Sequence, residues 1–276
     1  MTAIILASHG TSDSLGAKLI SDLVEAIAAE LPAQEVRETF VDVQEPQVLE
    51  VLKDTLKTQT EIALVPLLLS TGYHVRQDIT DAVVAAKTEF ADSAIAVTSA
   101  LGPSPELTTL LVDRLKQAGW RAGDIVVLAV AGSSDAAAVE ECCLVHLELE
   151  AAIQELDATT HVELAFLSAA QPKLKELVPK LKFQHPNKRV VVATYLLAPG
   201  YFADQTAKAG AHLVAEPLLA KDSPVPGQLV DVVLRRVRQA TDNQGTLGCL
   251  RAFDSSEGDA ANAEWNCAAG CSRPCR

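Results

Sequence analysis

The stretch IVVLAVAGSSD at residues 125–135 repeats the pattern of IILASHGTSD at residues 4–13. In the two copies Gly10 falls on Gly132 and Asp13 falls on Asp135. Each copy is a short apolar run, then a glycine-containing loop, then a segment with helical spacing of its apolar residues, which predicts strand, loop and helix. The chain therefore contains one α/β pattern twice.

Later landmarks recur in the same order. Pro46 corresponds to Pro172, and LLLSTGYH at residues 67–74 corresponds to YLLAPGYF at residues 195–202. Ordered matches of this kind indicate an internal duplication. The predicted division is an N-terminal catalytic α/β lobe at 1–121, a C-terminal α/β lobe at 122–240 and a flexible tail at 241–276.

Within the first lobe, strands and helices alternate. Strands are predicted at 3–7, 36–43, 62–69 and 95–98, with helices at 14–31, from Pro46, from the end of the 70–76 loop to about 90, and at 105–118. Alternation with short connections predicts parallel strands whose following loops emerge at one edge of the sheet. We expect two similar lobes, each a small parallel sheet flanked by helices, around a central cleft. If the first strand is central, its loop and those of its neighbours converge on one site.

Composition excludes several classes of partner. No apolar run approaches the roughly 20 residues of a membrane span, and the N-terminus lacks a basic region and a cleavage site, so we expect a cytoplasmic protein with no membrane partner. The net charge of −13 argues against nucleic-acid binding, which relies on clustered Lys and Arg. Because the duplication already supplies both sides of a cleft, a monomer suffices.

Two of the six histidines stand out by their context. His9 follows a predicted buried strand and precedes a glycine, which lets a ligand approach closely, and His74 repeats that context in Gly-Tyr-His. The second copy has Ala131 and Phe202 at the equivalent positions, which assigns the chemistry to the first lobe. We interpret the remaining histidines as structural: His146, His161, His185 and His212.

The histidine pair suits a metal ion that is held transiently. Neutral imidazole binds Fe²⁺, Co²⁺, Ni²⁺ and Zn²⁺, and a carboxylate such as Glu45 adds charge neutralisation without the tight hold of thiolates. We expect His9, His74 and Glu45 to be metal ligands. The alternative for Glu45 is a solvated or helix-capping carboxylate ahead of Pro46.

The motifs LASHGTSD, FVDVQEP, PLLLSTGYHVRQDI and YLLAPGYFADQ resemble those of the class II tetrapyrrole chelatases, the sirohydrochlorin chelatase and cobaltochelatase group. The resemblance covers about residues 1–240. It implies an ATP-independent lyase that inserts Fe²⁺, or Co²⁺, into sirohydrochlorin on the way to sirohaem or cobalamin, with the divalent metal as a substrate. The resemblance also implies that His9 and His74 are the catalytic residues. Less directly, it implies that Glu45 is the carboxylate of the family motif.

Sirohydrochlorin bears many carboxylates, so an acidic protein must supply donors locally. The candidate substrate-binding residues are those of the loops that contain the histidines: Gly10, Ser70, Thr71, Gly72 and Arg76. A solvated surface charge remains an equal alternative for Arg76.

Two rival functions stay open at this point. A histidine phosphatase also has a strand followed by His-Gly, but phosphoryl transfer needs cationic groups around the phosphate, and Ser8 rather than Arg precedes His9. A non-catalytic carrier of metal or tetrapyrrole would keep the same cleft and ligands.

Four cysteines fall in the predicted tail: Cys249, Cys267, Cys271 and Cys275. Their thiolates could bind a metal ion or an iron–sulfur cluster, although the spacing lacks the paired Cys-x-x-Cys pattern of strong metal sites. The alternative is an inert or redox-sensitive tail.

Overall fold

The computed structural model describes residues 2–70 and 72–242, apart from the side chains of residues 73–75. Strands and helices alternate throughout this part of the chain. The first half contains β1 (Ala3–Ser8), α1 (Ser14–Glu30), β2 (Val36–Phe40), α2 (Val48–Leu56), β3 (Glu61–Pro66), α3 (Tyr73–Glu89), β4 (Ala94–Val97) and α4 (Pro105–Gln117). The second contains β5 (Ile125–Val130), α5 (Ala136–Gln154), β6 (Val162–Phe166), α6 (Leu174–Gln184), β7 (Val190–Tyr195), α7 (Tyr201–Ala207), β8 (Leu213–Val214) and α8 (Gly227–Asp242).

The strands form two parallel four-stranded sheets, one in each half of the chain. Their orders are β2-β1-β3-β4 and β6-β5-β7-β8. In the first sheet Ile4 pairs with Val36 on one side and Ala63 on the other, so β1 is central, as the assumed strand order required. Every residue of β1 is buried, because helices cover both faces of the sheet. The predicted α/β class with two similar lobes is confirmed.

The two sheets share local detail as well as strand order. An isolated parallel bridge between Phe40 and Gln47 follows β2, and its counterpart between Phe166 and Lys173 follows β6. Asp13 caps α1 by accepting the N–H of Gly16. Asp135, its counterpart, caps α5 by accepting the N–H of Ala137. The structure thus repeats the duplication that is visible in the sequence.

Two predicted helix starts were wrong. Pro46 does not open α2, because its carbonyl oxygen accepts the N–H of Phe40 and the hydroxyl of Thr39, which keeps Pro46 attached to the end of β2. Gln47 is the N-cap of that helix instead. The predicted 70–76 loop is also too long, since Gly72 is the N-cap of α3. His74 and Arg76 therefore lie in the first turn of a helix.

The last helix of each half packs on the other half. Helix α4 contacts β7 and α5, whereas α8 returns to pack against β3, β4, α1 and α4. One face of α8 is buried in this interface, through Leu229, Val232, Val233, Val237 and Ala240. A hydrophobic core joins residues of both sheets, from Ile4 and Ala63 to Val126 and Val191. The lobes therefore share one core as well as a sequence pattern.

The C-terminal part of the predicted tail lies outside the described residues, including Cys249, Cys267, Cys271 and Cys275. Thr241 and Asp242, which were predicted to begin that tail, still belong to α8. Among the helices that the structure describes, none is long and apolar enough to cross a membrane.

Candidate active site

His9 directly follows β1, and its imidazole is exposed. Gly10 has φ +90° and lies so close to the carbonyl oxygen of Asp42 that an added Cβ would clash with it. The main chain of His9 is tied to the same residue, since the N–H of Asp42 donates to the carbonyl oxygen of His9 at 3.0 Å. The loop after β1 is thus held against the loop after β2.

The loop after β2 contains a tight turn at Val43. The N–H of Gln44 donates to the carbonyl oxygen of Asp42 at 2.7 Å, and Val43 between them has φ +66°. These features define a γ-turn of the rarer kind with positive φ. Glu45 follows this turn and has an exposed side chain. It comes after β2, the strand next to β1, which His9 follows.

The loop after β3 leads into α3. Gly72 caps this helix, and the N–H of Arg76 donates to the carbonyl oxygen of Gly72. His74 is in the first turn of α3, so its backbone lies at the same sheet edge as His9. Thr71 and the His74 side chain lie outside the described parts of the structure.

The second lobe closes over this edge at three places. Gly16, at the start of α1, lies against the carbonyl oxygen of Pro199, and Gly200 approaches Thr11. Gly72 lies beside the hydroxyl of Ser133. The loop after β1 therefore faces the loop after β7, and the loop after β3 faces the loop after β5.

An ion pair joins the lobes beside these contacts. Arg76 Nη2 lies 2.7 Å from Asp135 Oδ2, and about a third of the arginine side chain (33%) is exposed. Arg76 was a candidate for binding a substrate carboxylate or a solvated surface charge. In the structure it already holds a carboxylate, at the point where α3 meets α5.

Two buried groups of the second lobe support the loop before α3. The Tyr195 hydroxyl donates to the carbonyl oxygen of Leu69 at 3.4 Å, and burial raises the pKa of this phenol. Cys142 is hydrogen-bonded to Ser70, and its burial raises the pKa of the thiol to about 11. Both groups are therefore neutral at physiological pH.

The second lobe has apolar side chains where the first has histidines. Ala131 follows β5 as His9 follows β1, and Phe202 stands in α7 where His74 stands in α3. The ring of Tyr201 is 72% exposed and lies edge-on to Phe202, with 5.5 Å between the ring centroids. This lobe thus presents aromatic surface in place of imidazole.

A family model decides the identification. The model described as CbiX matches residues 3–118 and 125–218, which is most of the chain and includes both repeats. The chain belongs to the CbiX family. Membership in the class II chelatases, predicted from the motifs, is confirmed.

Named relatives and solved structures agree with this membership. The sirohydrochlorin ferrochelatase of Priestia megaterium is 26% identical over 210 residues, covering 74% of this chain and 76% of the relative. SirB from Bacillus subtilis with Fe³⁺ has a TM-score of 0.75 at 24% identity, covering 88% of this chain and 97% of SirB. Sirohydrochlorin chelatase SirB of Bacillus subtilis subspecies spizizenii, in complex with cobalt, has a TM-score of 0.68 at 19% identity, with coverages of 88% and 96%. These structural likenesses confirm the fold.

In this CbiX-family chain, three candidate ligands follow neighbouring strands. The sheet order β2-β1-β3 places Glu45, His9 and the start of α3, with His74, side by side. Among the side chains that the structure describes, no group of three or more His, Cys, Asp or Glu is arranged to hold a metal ion. Since the His74 side chain is outside that set, the complete ligand group stays a prediction.

Two other histidines of the CbiX-family chain make backbone contacts. The Nε2 atom of His146 is 2.6 Å from the carbonyl oxygen of Val162. His212 Nδ1 accepts the N–H of Val190 at 2.9 Å. His161 approaches Glu150, and His185 is the C-cap residue of α6. All four lie in the second half of the chain, and the contacts of His146 and His212 support the structural interpretation given to those two.

Proposed function

We propose that this CbiX-family enzyme inserts Fe²⁺ into sirohydrochlorin, with Co²⁺ as a second possible substrate ion, and that His9 and His74 handle the metal and the protons. The observation that carries the proposal is that both histidines lie at one sheet edge of the first lobe, while the second lobe has alanine and phenylalanine at the equivalent positions. The names of the relatives support sirohydrochlorin as the tetrapyrrole. The solved relatives that contain Fe³⁺ or cobalt support the choice of ions.

The reaction exchanges two pyrrole N–H protons for one divalent ion. The ion must leave its first ligands as it enters the macrocycle, and the two protons must leave the ring nitrogens. An imidazole can serve as a ligand that is easily exchanged or as a base that titrates near neutral pH. His9 and His74 are therefore suited to both steps, and Glu45 adds negative charge near the incoming ion.

The cleft also suits the two kinds of surface on the substrate. The flat macrocycle is apolar, and Tyr201 and Phe202 of the second lobe provide an aromatic surface for it. The peripheral carboxylates need positive charge in a protein whose net charge is −13. Arg76 and the N-terminal ends of α1 and α3, where helix dipoles are positive, supply it, together with the main-chain N–H groups near Gly10, Ser70, Thr71 and Gly72.

Turnover under anaerobic conditions tests this function. Sirohydrochlorin and Fe²⁺, or Co²⁺ in parallel, are mixed in excess over the enzyme, and metallation is followed by absorbance. We expect many equivalents of product for each equivalent of protein. A burst of one equivalent with no acceleration afterwards would instead identify a carrier of metal or tetrapyrrole. Hydrolysis of an aryl phosphate that is lost in His9→Ala would identify a phosphatase.

The tail cysteines pose a separate question. We propose that a chain that ends at residue 242 metallates sirohydrochlorin as fast as the full chain, because the candidate site lies entirely before α4 and at the edge of the second sheet. A metal or iron–sulfur role for the tail would appear as metal that the full chain retains and the shortened chain lacks.

A further inference from the structure

The turn after β2 crosses the His9 loop and contacts it at three successive residues. We define the strap as residues 42–44, and we propose that Gln44 is a positioning residue for His9. This inference rests on the proposed role of His9 in metal insertion. Gln44 was not among the residues that sequence reasoning selected.

Each contact of the strap is made to a different residue of the loop. The N–H of Asp42 donates to the carbonyl oxygen of His9 at 3.0 Å. The carbonyl oxygen of Asp42 then packs on Gly10. Finally, Gln44 Oε1 accepts the N–H of Thr11 at 2.8 Å. The main chain is therefore fixed at His9 and at the two residues that follow it.

The main chain fixes the Cα–Cβ direction from which the imidazole extends. Among the described residues, none forms a hydrogen bond with the exposed His9 ring. Its position follows from β1 on one side and from Thr11 on the other. Thr11 is also connected to α1, because its hydroxyl accepts the N–H of Asp13, the N-cap of that helix.

The strap keeps an unfavourable backbone conformation. Val43 is β-branched and has φ +66°, a region in which such residues are strained. The Asp42 side chain stabilises the turn by accepting the N–H of Val43 at 2.7 Å. Strain of this kind is retained where the surroundings determine the conformation, and it clusters at functional sites.

The second lobe provides an internal comparison. There the N–H of Ser168 donates to the carbonyl oxygen of Ala131, and Ala169 has φ +55° in a turn closed by Ala170. Gly132 packs against Ser168 as Gly10 packs against Asp42. However, alanine at 170 has no side-chain oxygen, so the third contact cannot form. The lobe without a histidine at this position lacks the equivalent of Gln44.

The test uses Gln44→Ala, which copies the second lobe, and Gln44→Glu, which restores an acceptor oxygen. Gln47→Ala is the matched control, since this exposed side chain on the same loop makes no capping hydrogen bond. We expect Gln44→Ala to lower kcat about tenfold with little change in KM or in the unfolding midpoint, because small displacements of a reacting group are costly. Gln44→Glu should recover most of the rate, and Gln47→Ala should match the wild type.

A His9→Ala background and the imidazole resonances of His9 distinguish failure of the strap proposal from failure of the proposed function. In a His9→Ala background, Gln44→Ala should cause no further loss, because Gln44 acts through His9. The imidazole resonances of His9 should shift or broaden in Gln44→Ala and stay unchanged in Gln47→Ala. Unchanged resonances, or an equal loss of rate with and without His9, would overturn the inference. A wild-type enzyme without turnover would instead refute the proposed function, and the resonances would still test the strap.

Discussion

Arg76 Nη2 lies 2.7 Å from Asp135 Oδ2, so the first turn of α3 in one lobe is ion-paired with the N-cap of α5 in the other. The second carboxylate oxygen of Asp135 accepts the N–H of Ala137 at 3.0 Å. The pair therefore connects the helix that carries His74 to the lobe that faces it. Under the proposed function, a carboxylate of the substrate competes with Asp135 for Arg76.

This competition predicts opposite effects for the two partners. Asp135→Asn keeps an oxygen that can cap α5 but removes the competing charge, so KM for sirohydrochlorin should fall. Arg76→Ala should raise that KM about tenfold, the loss of roughly one charge-assisted hydrogen bond. Because the pair is partly exposed, either change should alter the free energy of unfolding by less than about 1 kcal/mol. Steady-state kinetics and urea unfolding measure both quantities.

The control for the ion pair is Asp54→Asn, which removes the partner of Arg37 on the outer surface. It should leave KM unchanged. If Arg76→Ala also leaves KM unchanged, Arg76 has a structural role between the lobes and does not bind substrate.

Gly10 and Gly132 form a matched pair for a second prediction. Their φ angles are +90° and +89°, and an added Cβ would meet a carbonyl oxygen in both cases. Gly10→Ala and Gly132→Ala should therefore each lower the free energy of unfolding, by about 2 kcal/mol or more. Only Gly10→Ala should also lower kcat at a temperature where both variants are folded. Equal kcat values in the two variants would argue against His9 as a catalytic residue.

Because the Cys142 thiol is buried, we expect the free energy of unfolding to decrease at alkaline pH. Its pKa is raised from 9.0 to about 11 in the folded protein, so the thiol ionises more easily when the chain is unfolded. The stabilisation is complete below pH 9 and is lost as the pH rises towards 11. Between pH 8 and pH 10, Cys142 should account for about 1 kcal/mol of the decrease in unfolding free energy.

Urea unfolding of wild type and Cys142→Ala at pH 8, 9 and 10 measures this contribution. The variant should show the shallower dependence on pH, whatever constant offset the lost sulfur causes. Cys143→Ala serves as the control on the neighbouring residue. Parallel pH profiles for wild type and Cys142→Ala would show that the thiol is not buried as described.

The packing of α8 predicts that the first lobe needs this helix, at the end of the second lobe, for its stability. It packs on β3 and β4 and buries an apolar face there. A chain truncated after residue 226 should therefore lose cooperative unfolding and expose apolar surface to a dye such as ANS. A chain truncated after residue 242 keeps the helix and should unfold like the full chain. Equal behaviour of both truncations would show that α8 contributes little to the shared core.

Much of this fold follows from patterns that a sequence can show. Apolar runs such as residues 3–7 mark buried strands, and the repeat of Gly10 and Asp13 at Gly132 and Asp135 marks the duplication. The central position of β1 agreed with the common order for such sheets. These features depend on local periodicity and on general rules of chain connection.

The features that were missed depend on contacts between distant residues. Periodicity alone could not show that the carbonyl oxygen of Pro46 bonds back to β2, or that α3 begins at Tyr73. The pair of Arg76 and Asp135 joins residues 59 positions apart. Gln44 did leave a signal, because the repeat aligns it with Ala170, and a polar residue present in one lobe only is a reason to examine its contacts.

If His9 and His74 carry out metal insertion, removal of either imidazole should abolish most of the activity. Anaerobic metallation of sirohydrochlorin is measured with wild type, His9→Ala, His74→Ala and, as the control, His185→Ala, an exposed histidine in the second lobe. We expect kcat/KM to fall about a hundredfold or more in the first two variants and to stay unchanged in the control. Undiminished rates in both His9→Ala and His74→Ala would contradict it.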